Sequence, residues 1–408
     1  MKTVVRPETE MKESGLQWLG EIPNDWKVSR VGNFFSFSSG DSLTNEEIRD
    51  EGMYLVYGAN GIRGYYSKYN LAEKRILLGR VGALAGNVHI VDGKVWVTEH
   101  ALIASNKLDL VEEYYGYVFE SMNLIQYSKS SAQPVISGDT LQKLRFPVPK
   151  LSEQQAIADY LDETCSKIDE IIAEAKASID EYKELKQSVI FEAVTKGLDK
   201  NVEMKQCSVN WLDEIPSTWE SIRLKYLLTE INNRSETGTE QPLSVSQVMG
   251  VVPSYMIAVA NPTASYVGQK IVEPNDIVFN KLKAHLGVFF MSKYHGLVSP
   301  DYAVYRTNDK VIPKYLEYLF HTSACISEFK KYISGVAEGL MRLYTSDLFN
   351  IRICLPKVDE QIKIVEYVEN KVELFDSLIA EKESLINDLE SYKKSLIYEV
   401  VTGKRRVV

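Results

Sequence analysis

The sequence predicts an α+β chain in which two mixed strand-and-helix units alternate with two long helical arms. Three observations carry this reading. The chain repeats itself once; each copy ends in a long stretch free of proline and glycine; and apolar residues in those stretches recur at alternating steps of three and four. At roughly 150 residues per domain, 408 residues suit two to three domains.

The repeat sets the boundaries. Trp18-Leu19-Gly20-Glu21-Ile22-Pro23, followed by Trp26 and Arg30, returns 193 residues later as Trp211-Leu212-Asp213-Glu214-Ile215-Pro216, followed by Trp219 and Arg223. Pro149-Lys150-x-x-Glu153-Gln154 returns 207 residues later as Pro356-Lys357-x-x-Glu360-Gln361. That match continues without a gap through Tyr160/Tyr367, Asp169/Asp376, Ala173-Glu174/Ala380-Glu381, Ile190/Ile397 and Val194-Thr195/Val401-Thr402. Between these blocks an offset of 201 places Ile76 on Ile277, Arg80 on Lys281, Gly86 on Gly287, and Tyr114, Tyr117 and Phe119 on Tyr315, Tyr318 and Phe320. Rising offsets mean insertions in the second copy. The division is therefore a first unit over 1–149, a first helix over 150–196, a second unit with its linker over 197–356, and a second helix with a basic tail over 357–408.

In the first unit, Arg75-Ile76-Leu77-Leu78-Gly79-Arg80 and Val95-Trp96-Val97-Thr98 read as strands and Val111 to Tyr127 as a helix. In the second, the Pro274-Asn275-Asp276 turn leads into a strand at Ile277-Val278-Phe279, and Ile312 to Ile333 matches the helix. Ser36-Phe37-Ser38-Ser39-Gly40 and Gly58-Ala59-Asn60-Gly61 are loops.

Each arm reads as one helix, capped by Ser152 or Asp359 and stopped by Gly197 or Gly403. The first arm's stripe is Ile168, Ile172, Ala175, Ile179, Tyr182, Leu185 and Val189. The second arm's is Phe375, Ile379, Ile386, Leu389, Tyr392 and Leu396, interrupted once by Lys382. Such stripes are coiled-coil seams, and two of equal length pack most simply on each other. At ~1.5 Å rise, a 45-residue arm is roughly 65–70 Å long.

Composition excludes several classes. With 45% hydrophobic and 25% charged residues the chain is globular rather than disordered. No apolar run approaches the ~20 residues of a membrane helix, and Met1 to Gly15 lacks a signal peptide's apolar core, so the expected location is cytoplasmic. Cys165, Cys207, Cys325 and Cys354 sit far apart with no CxxC spacing, against a disulfide framework or a zinc ribbon. The net charge of −9 counts against a nucleic-acid partner until it is sorted by segment. The arms carry −5 (150–196) and −6 (358–402), the first unit balances over 26–149, and the second is +4 over 221–357. Lys404-Arg405-Arg406 adds a basic tail.

Catalytic constellations are missing. Gly79 to Gly86 is glycine-rich but lacks a P-loop lysine, and neither HExxH nor GxSxG occurs. Asn261-Pro262-Thr263 is a poor match to an amino-methyltransferase signature. Pro300-Asp301 with Glu328-x-Lys330 loosely resembles a nuclease triad, but Glu328 and Lys330 fall on a helix. No metal site and no bound cofactor are expected. The candidate binding residues are instead polar and aromatic side chains on loops. Tyr57, Asn60, Arg63, Tyr65, Tyr66 and Lys68 interleave with glycines that let backbone approach a phosphate; Asn60 suits adenine and Arg63 suits guanine. Arg80 and Lys281 hold one repeat position just after a strand, and Lys283 and His285 extend that loop. Gln133 and Arg342 precede the return into each arm.

This layout resembles the specificity subunit of a type I restriction-modification system. The residues that carry the resemblance are Trp-x-x-x-Ile-Pro-x-x-Trp at 18–26 and 211–219, Phe146-Pro147-Val148-Pro149-Lys150-x-x-Glu153-Gln154, and Ile353-Cys354-Leu355-Pro356-Lys357-x-x-Glu360-Gln361. Each of the latter two is followed by its long helix. The run from Tyr57 to Tyr66, and Gly79-Arg80-Val81-Gly82-Ala83-x-x-Gly86-Asn87-Val88, are also similar to that family. The resemblance implies two target-recognition domains separated by a long antiparallel two-helix coiled coil with an internal pseudo-twofold repeat. It implies a non-catalytic reader of a split, asymmetric site in double-stranded DNA. Its implied partners are two methyltransferase subunits, which carry S-adenosylmethionine, and in the full complex two ATP-dependent restriction subunits. The rival reading is a coiled-coil adaptor whose two units grip proteins without DNA.

Overall fold

The computed structural model describes residues 2–128, 134–209, 211–257, 265–333 and 342–408. The chain divides into two compact units: one joins residues 1–176 to 383–408, the other is the continuous stretch 177–382. Each long helix, Leu151–Lys196 and Val358–Val401, gives one part to each unit. Both begin one residue before the expected caps, so Ser152 and Asp359 lie in the first turn. Both end at the expected glycines, with φ of +76° at Gly197 and at Gly403, a conformation that a side chain would strain.

In the discontinuous unit, an antiparallel sheet orders its strands Phe35–Ser39, Ala101–Asn106, Arg75–Gly79, Val88–Val91. The first corrects the loop expected at 36–40, because Phe35 and Phe37 both pack on Phe119 and its edge pairs with Ala101–Asn106. A second sheet sets Val95–Val97 parallel to Tyr54–Gly58, which forms a hairpin with Gly61–Tyr66. The expected helix 111–127 is shorter. It runs Glu112–Ser121 and breaks at Asn123, whose φ is +47°, before a 3-10 turn at Leu124–Tyr127. Trp26, Phe35, Tyr114, Tyr115, Phe119 and Phe146 fill the core.

The continuous unit repeats the plan. Its sheet orders Leu228–Ile231, Ala303–Thr307, Ile277–Phe279, Phe289–Met291. Leu243–Ser246 and Gly250–Pro253 form the hairpin, and Lys270–Val272 pairs with Gly296–Val298. The expected helix 312–333 is two helices, Pro313–Phe320 and Ser323–Lys331. Thr322 divides them because its side chain accepts from the Cys325 N–H and caps the second.

The Pro-Lys-x-x-Glu-Gln repeat is a clamp. In each unit the Gln carboxamide accepts the N–H that opens a helix, Val111 to Gln154 (3.2 Å) and Ile312 to Gln361 (2.8 Å). Its own amide group returns to the proline carbonyl, Pro149 or Pro356. The Glu accepts the indole N–H of the repeated tryptophan, Trp26 to Glu153 (2.8 Å) and Trp219 to Glu360 (3.1 Å). Tyr114 and Tyr315, both fully buried, donate to the last turn of the opposite long helix, at the Val401 and Val194 carbonyls. Burial pushes both phenols well above their ordinary pKa, so they remain donors.

The two helices pair antiparallel in each unit. Lys393 Nζ lies 2.7 Å from Asp169 in one, and Lys186 Nζ 2.5 Å from Asp376 in the other. Ile168, Ile172, Ile179, Ile386 and Leu396 are buried, and Tyr182, Val189, Phe375, Ile379 and Leu389 are half-buried. Leu185 and Tyr392 are corrections: they are 51% and 54% exposed, and the seam passes one residue later through Lys186 and Lys393. The three–four stepping allows either choice until the partner's aspartate selects the lysine.

Two further contacts join residues far apart in sequence. Cys207 and Cys354 meet with their sulfurs 3.0 Å apart. The basic tail is structural: Arg405–Val407 pairs with Thr3–Val5, Arg405 bonds Glu399, Arg406 bonds Glu10, and Lys404 donates to Tyr398.

Candidate nucleic-acid interface

In each unit one cation is fixed by the same backbone bond. The Arg80 carbonyl accepts from the Ile136 N–H (2.9 Å), and the Lys281 carbonyl from the Leu343 N–H (3.1 Å). Before each, a strand ends at Gly79 or Phe279, and after each a short turn closes at a glycine of positive φ, Gly86 or Gly287. A side chain at Gly86 would meet Leu124 and the Ile125 backbone; at Gly287 it would strike Ile326. The equivalence of Arg80 and Lys281 read from the sequence is thus an equivalence of backbone.

In the discontinuous unit the Arg80 turn lies against the hairpin tip Ala59-Asn60. A Cβ on Gly79 would fall 2.6 Å from the Ala59 carbonyl oxygen, so only glycine admits this approach. Asn87 donates to the Asn60 side chain (3.2 Å), and Arg80 donates to the Ser39 hydroxyl (3.1 Å). The His89 ring lies beside Gly61 and 6.5 Å from Tyr57. Burial lowers the His89 pKa and raises that of Tyr57, so both are neutral near pH 7. Four side-chain atoms around this tip are buried without a hydrogen-bond partner: Arg80 Nε, His89 Nε2, Thr98 Oγ1 and Glu99 Oε2. Unpaired buried polar atoms are costly, and their gathering at one end marks a place that expects a polar partner.

Other expected residues are already engaged. Arg63 crosses Gly58 and bonds Asn45 (2.6 Å). Tyr66 stands edge-on to Trp96 and donates to Glu47 (3.4 Å), while Tyr65 covers Gly52. Lys68 is exposed. Gln133 lies outside the described residues.

In the continuous unit, Lys281 Nζ is 3.5 Å from Glu230, and Lys270 Nζ is 4.0 Å from the same carboxylate. Lys270 is buried and donates to the Tyr302 carbonyl; burial, then the Lys281 charge, lowers its pKa. Lys283 and His285 are exposed on a 3-10 turn, Lys281–Leu286, whose first N–H groups are capped by Asn280. Arg342 is half-buried beside Leu343.

Residues missed in the sequence are Ser39, His89, Thr98, Glu99, Glu230 and Lys270, which come together only when strands distant in sequence end side by side. The nuclease-like trio does not form a metal site: Glu328 is buried and bonds Lys331, and no three His, Cys, Asp or Glu side chains gather as ligands among the described residues. No helix among the described residues is long and apolar enough to cross a membrane.

The model of the type I restriction modification DNA specificity domain matches residues 23–181 and 216–390. The chain is similar to the type I restriction enzyme MjaVIII specificity subunit of Methanocaldococcus jannaschii, 24% identical over 95% of this chain and 94% of that protein. It is also similar to the EcoprrI specificity subunit of Escherichia coli, 34% identical over 33% of this chain and 35% of that protein. In fold it resembles a chain solved in a study of complex assembly and conformational transition of the type I R-M system. That match has a TM-score of 0.67 and 14% identity, over 94% of this chain and 99% of that one. The HsdS subunit from Thermoanaerobacter tengcongensis matches with a TM-score of 0.51 and 15% identity, over 94% and 98% of the two chains.

Proposed function

Because the chain belongs to the type I restriction-modification DNA specificity family, we propose that each of its two units reads one half of a split, asymmetric DNA site. The observation that carries this is the Arg80/Lys281 position, a cationic residue whose backbone carbonyl accepts the equivalent bond in both copies while its side chain's surroundings differ. Equivalent backbone with unlike side chains suits two readers of unlike sequence. Phosphate neutralisation by the cations supplies affinity, and bidentate contacts to base edges, worth ~1–3 kcal/mol each, supply discrimination.

In this reading the chain is not itself a catalyst. It scaffolds two methyltransferase subunits, which bring S-adenosylmethionine, and in the restricting complex two ATP-dependent subunits. The acidic faces of the long helices suit protein partners better than DNA. The work takes place on cytoplasmic DNA. Modified-base sequencing of host DNA with and without the gene tests it. Loss of methylation from one split motif with a fixed gap is the expected result. An unchanged methylome, with no specific DNA binding by the purified complex, would favour the protein-adaptor reading.

A further inference from the structure

The two hairpins that flank the cation turns end in different chemistry. In the discontinuous unit the tip is Ala59-Asn60, and Asn60 is polar, exposed and bonded to Asn87. In the continuous unit the tip is Gln247-Val248-Met249, where Val248 is 92% exposed and Met249 53%. Both hairpins run beside the same repeat strand, through Leu55 on Val95 and Pro242 on Leu297. The tips therefore hold equivalent places on the two units.

A β-branched side chain so exposed adds nothing to the core, yet the turn that carries it is tightly built. The Ser246 hydroxyl accepts from both the Val248 and Met249 N–H groups, at 3.2 Å each, and Gly250 reverses the chain with φ of +73°. Gly250 rests on Phe290, which packs on His321. Phe290 belongs to the strand that follows the Lys281–Leu286 turn, so the apolar tip and the cations Lys281 and Lys283 stand on adjoining loops. Residues 221–357, the part of this unit outside the long helices, carry a net +4.

We propose that Val248 and Met249 form an apolar reading tip that contacts thymine methyl groups in the major groove of the half-site bound by the continuous unit. This rests on the DNA-reading function above and assigns the chemistry of one reader. The charge nearby selects DNA over an apolar protein face: lysines beside the tip hold the phosphates while the tip touches bases. Apolar side chains against the thymine methyl are an established mode of direct readout.

The test uses the chain assembled with its methyltransferase subunits. The half-site belonging to this unit is identified by exchanging residues 26–149 and noting which half stays unchanged. Replacing thymine by deoxyuridine in that half-site removes only the methyl groups. The expected result is a loss of about fourfold in affinity per contacted methyl for the native chain. The pair V248S/M249S should lose affinity similarly on normal DNA and be indifferent to deoxyuridine. Val248→Thr, which keeps the branched shape, controls for folding and should fall between. Equal deoxyuridine sensitivity in native and variant chains, a half-site without thymine, or failure of the variant to assemble would each overturn the proposal. In those cases native discrimination of the site from scrambled DNA leaves the DNA-reading function standing; absence of that discrimination overturns the function itself.

Discussion

Lys393 reaches across to Asp169, and its repeat counterpart Lys186 reaches across to Asp376, the repeat counterpart of Asp169. One ion pair is therefore written twice, each time with the lysine on one copy and the aspartate on the other. Each lysine occupies a seam position where an apolar residue would normally sit, with its side chain only 23–24% exposed. A single charged residue in a seam lowers stability but specifies register and orientation.

Replacing both lysines by leucine should therefore raise the thermal midpoint. Each ion pair contributes about 0.2–1 kcal/mol, less than the ~1.5–3 kcal/mol of a buried leucine. The same variant should show faster amide hydrogen exchange along both helices, because alternative registers become accessible. A lower midpoint would show that the ion pairs outweigh the apolar seam.

Glu153 and Glu360 hold the same tryptophan bond but differ in what else depends on them. Glu153 also receives the guanidinium of Arg6, whose side chain is 6% exposed. Glu153→Ala leaves the buried Arg6 guanidinium with only Glu10, 3.7 Å away, and the indole N–H unpaired, and should cost about 2–4 kcal/mol. Glu360→Ala strands only the Trp219 N–H, for about 1–3 kcal/mol. Urea denaturation of the two variants should separate them in that order.

Arg80→Ala should reduce the dependence of DNA affinity on salt by about one phosphate's worth of slope, with assembly intact. Lys281→Ala should do less, because Glu230 already compensates part of its charge. Glu230→Gln should strengthen binding by releasing Lys281. Titrations of the complex at several salt concentrations measure all three.

His321 is half-buried with its Nε2 enclosed and unpartnered, and desolvation lowers its pKa, opposed by Glu317 and aided by Lys314. The unfolded chain then binds a proton more readily than the folded one. Stability should fall as pH drops through the ordinary histidine value near ~6.5. Urea midpoints at pH 7.5 and 5.5 should differ less in His321→Gln than in the native chain.

Cys207 and Cys354 should join when the protein is treated with diamide, each losing its thiol hydrogen to the azo reagent. Mass spectrometry would show a chain two hydrogens lighter. Cys207→Ser should abolish the product. Burial raises the Cys354 thiol pKa, so attack should begin at half-buried Cys207.

The architecture was legible because it is local and written twice. The Pro-Lys-x-x-Glu-Gln blocks, the terminal glycines Gly197 and Gly403 and most of the apolar seam fall where the sequence places them. What failed is what depends on a partner. Leu185 and Lys186 are equally compatible with helical stepping, and only Asp376 decides between them. The break at Thr322 is a side-chain cap inside an otherwise helical pattern. The site was half legible: Arg80 and Lys281 stand out by repetition, but His89, Thr98 and Glu99 acquire meaning only once separate strand ends converge. Val248 was passed over because one exposed apolar residue is unremarkable until its neighbours are known.

The discontinuous unit has a consequence for synthesis. Its core includes Ile397, Val400 and Val401, Tyr114 donates to the Val401 carbonyl, and Arg405–Val407 closes on Thr3–Val5. Residues 177–382 need nothing made after them, whereas residues 1–176 must wait for 383–408. On the ribosome the second unit can fold first, and the N-terminal part, though translated earliest, is completed last. During that wait its half of the seam stays uncovered, which is when a chaperone would find it.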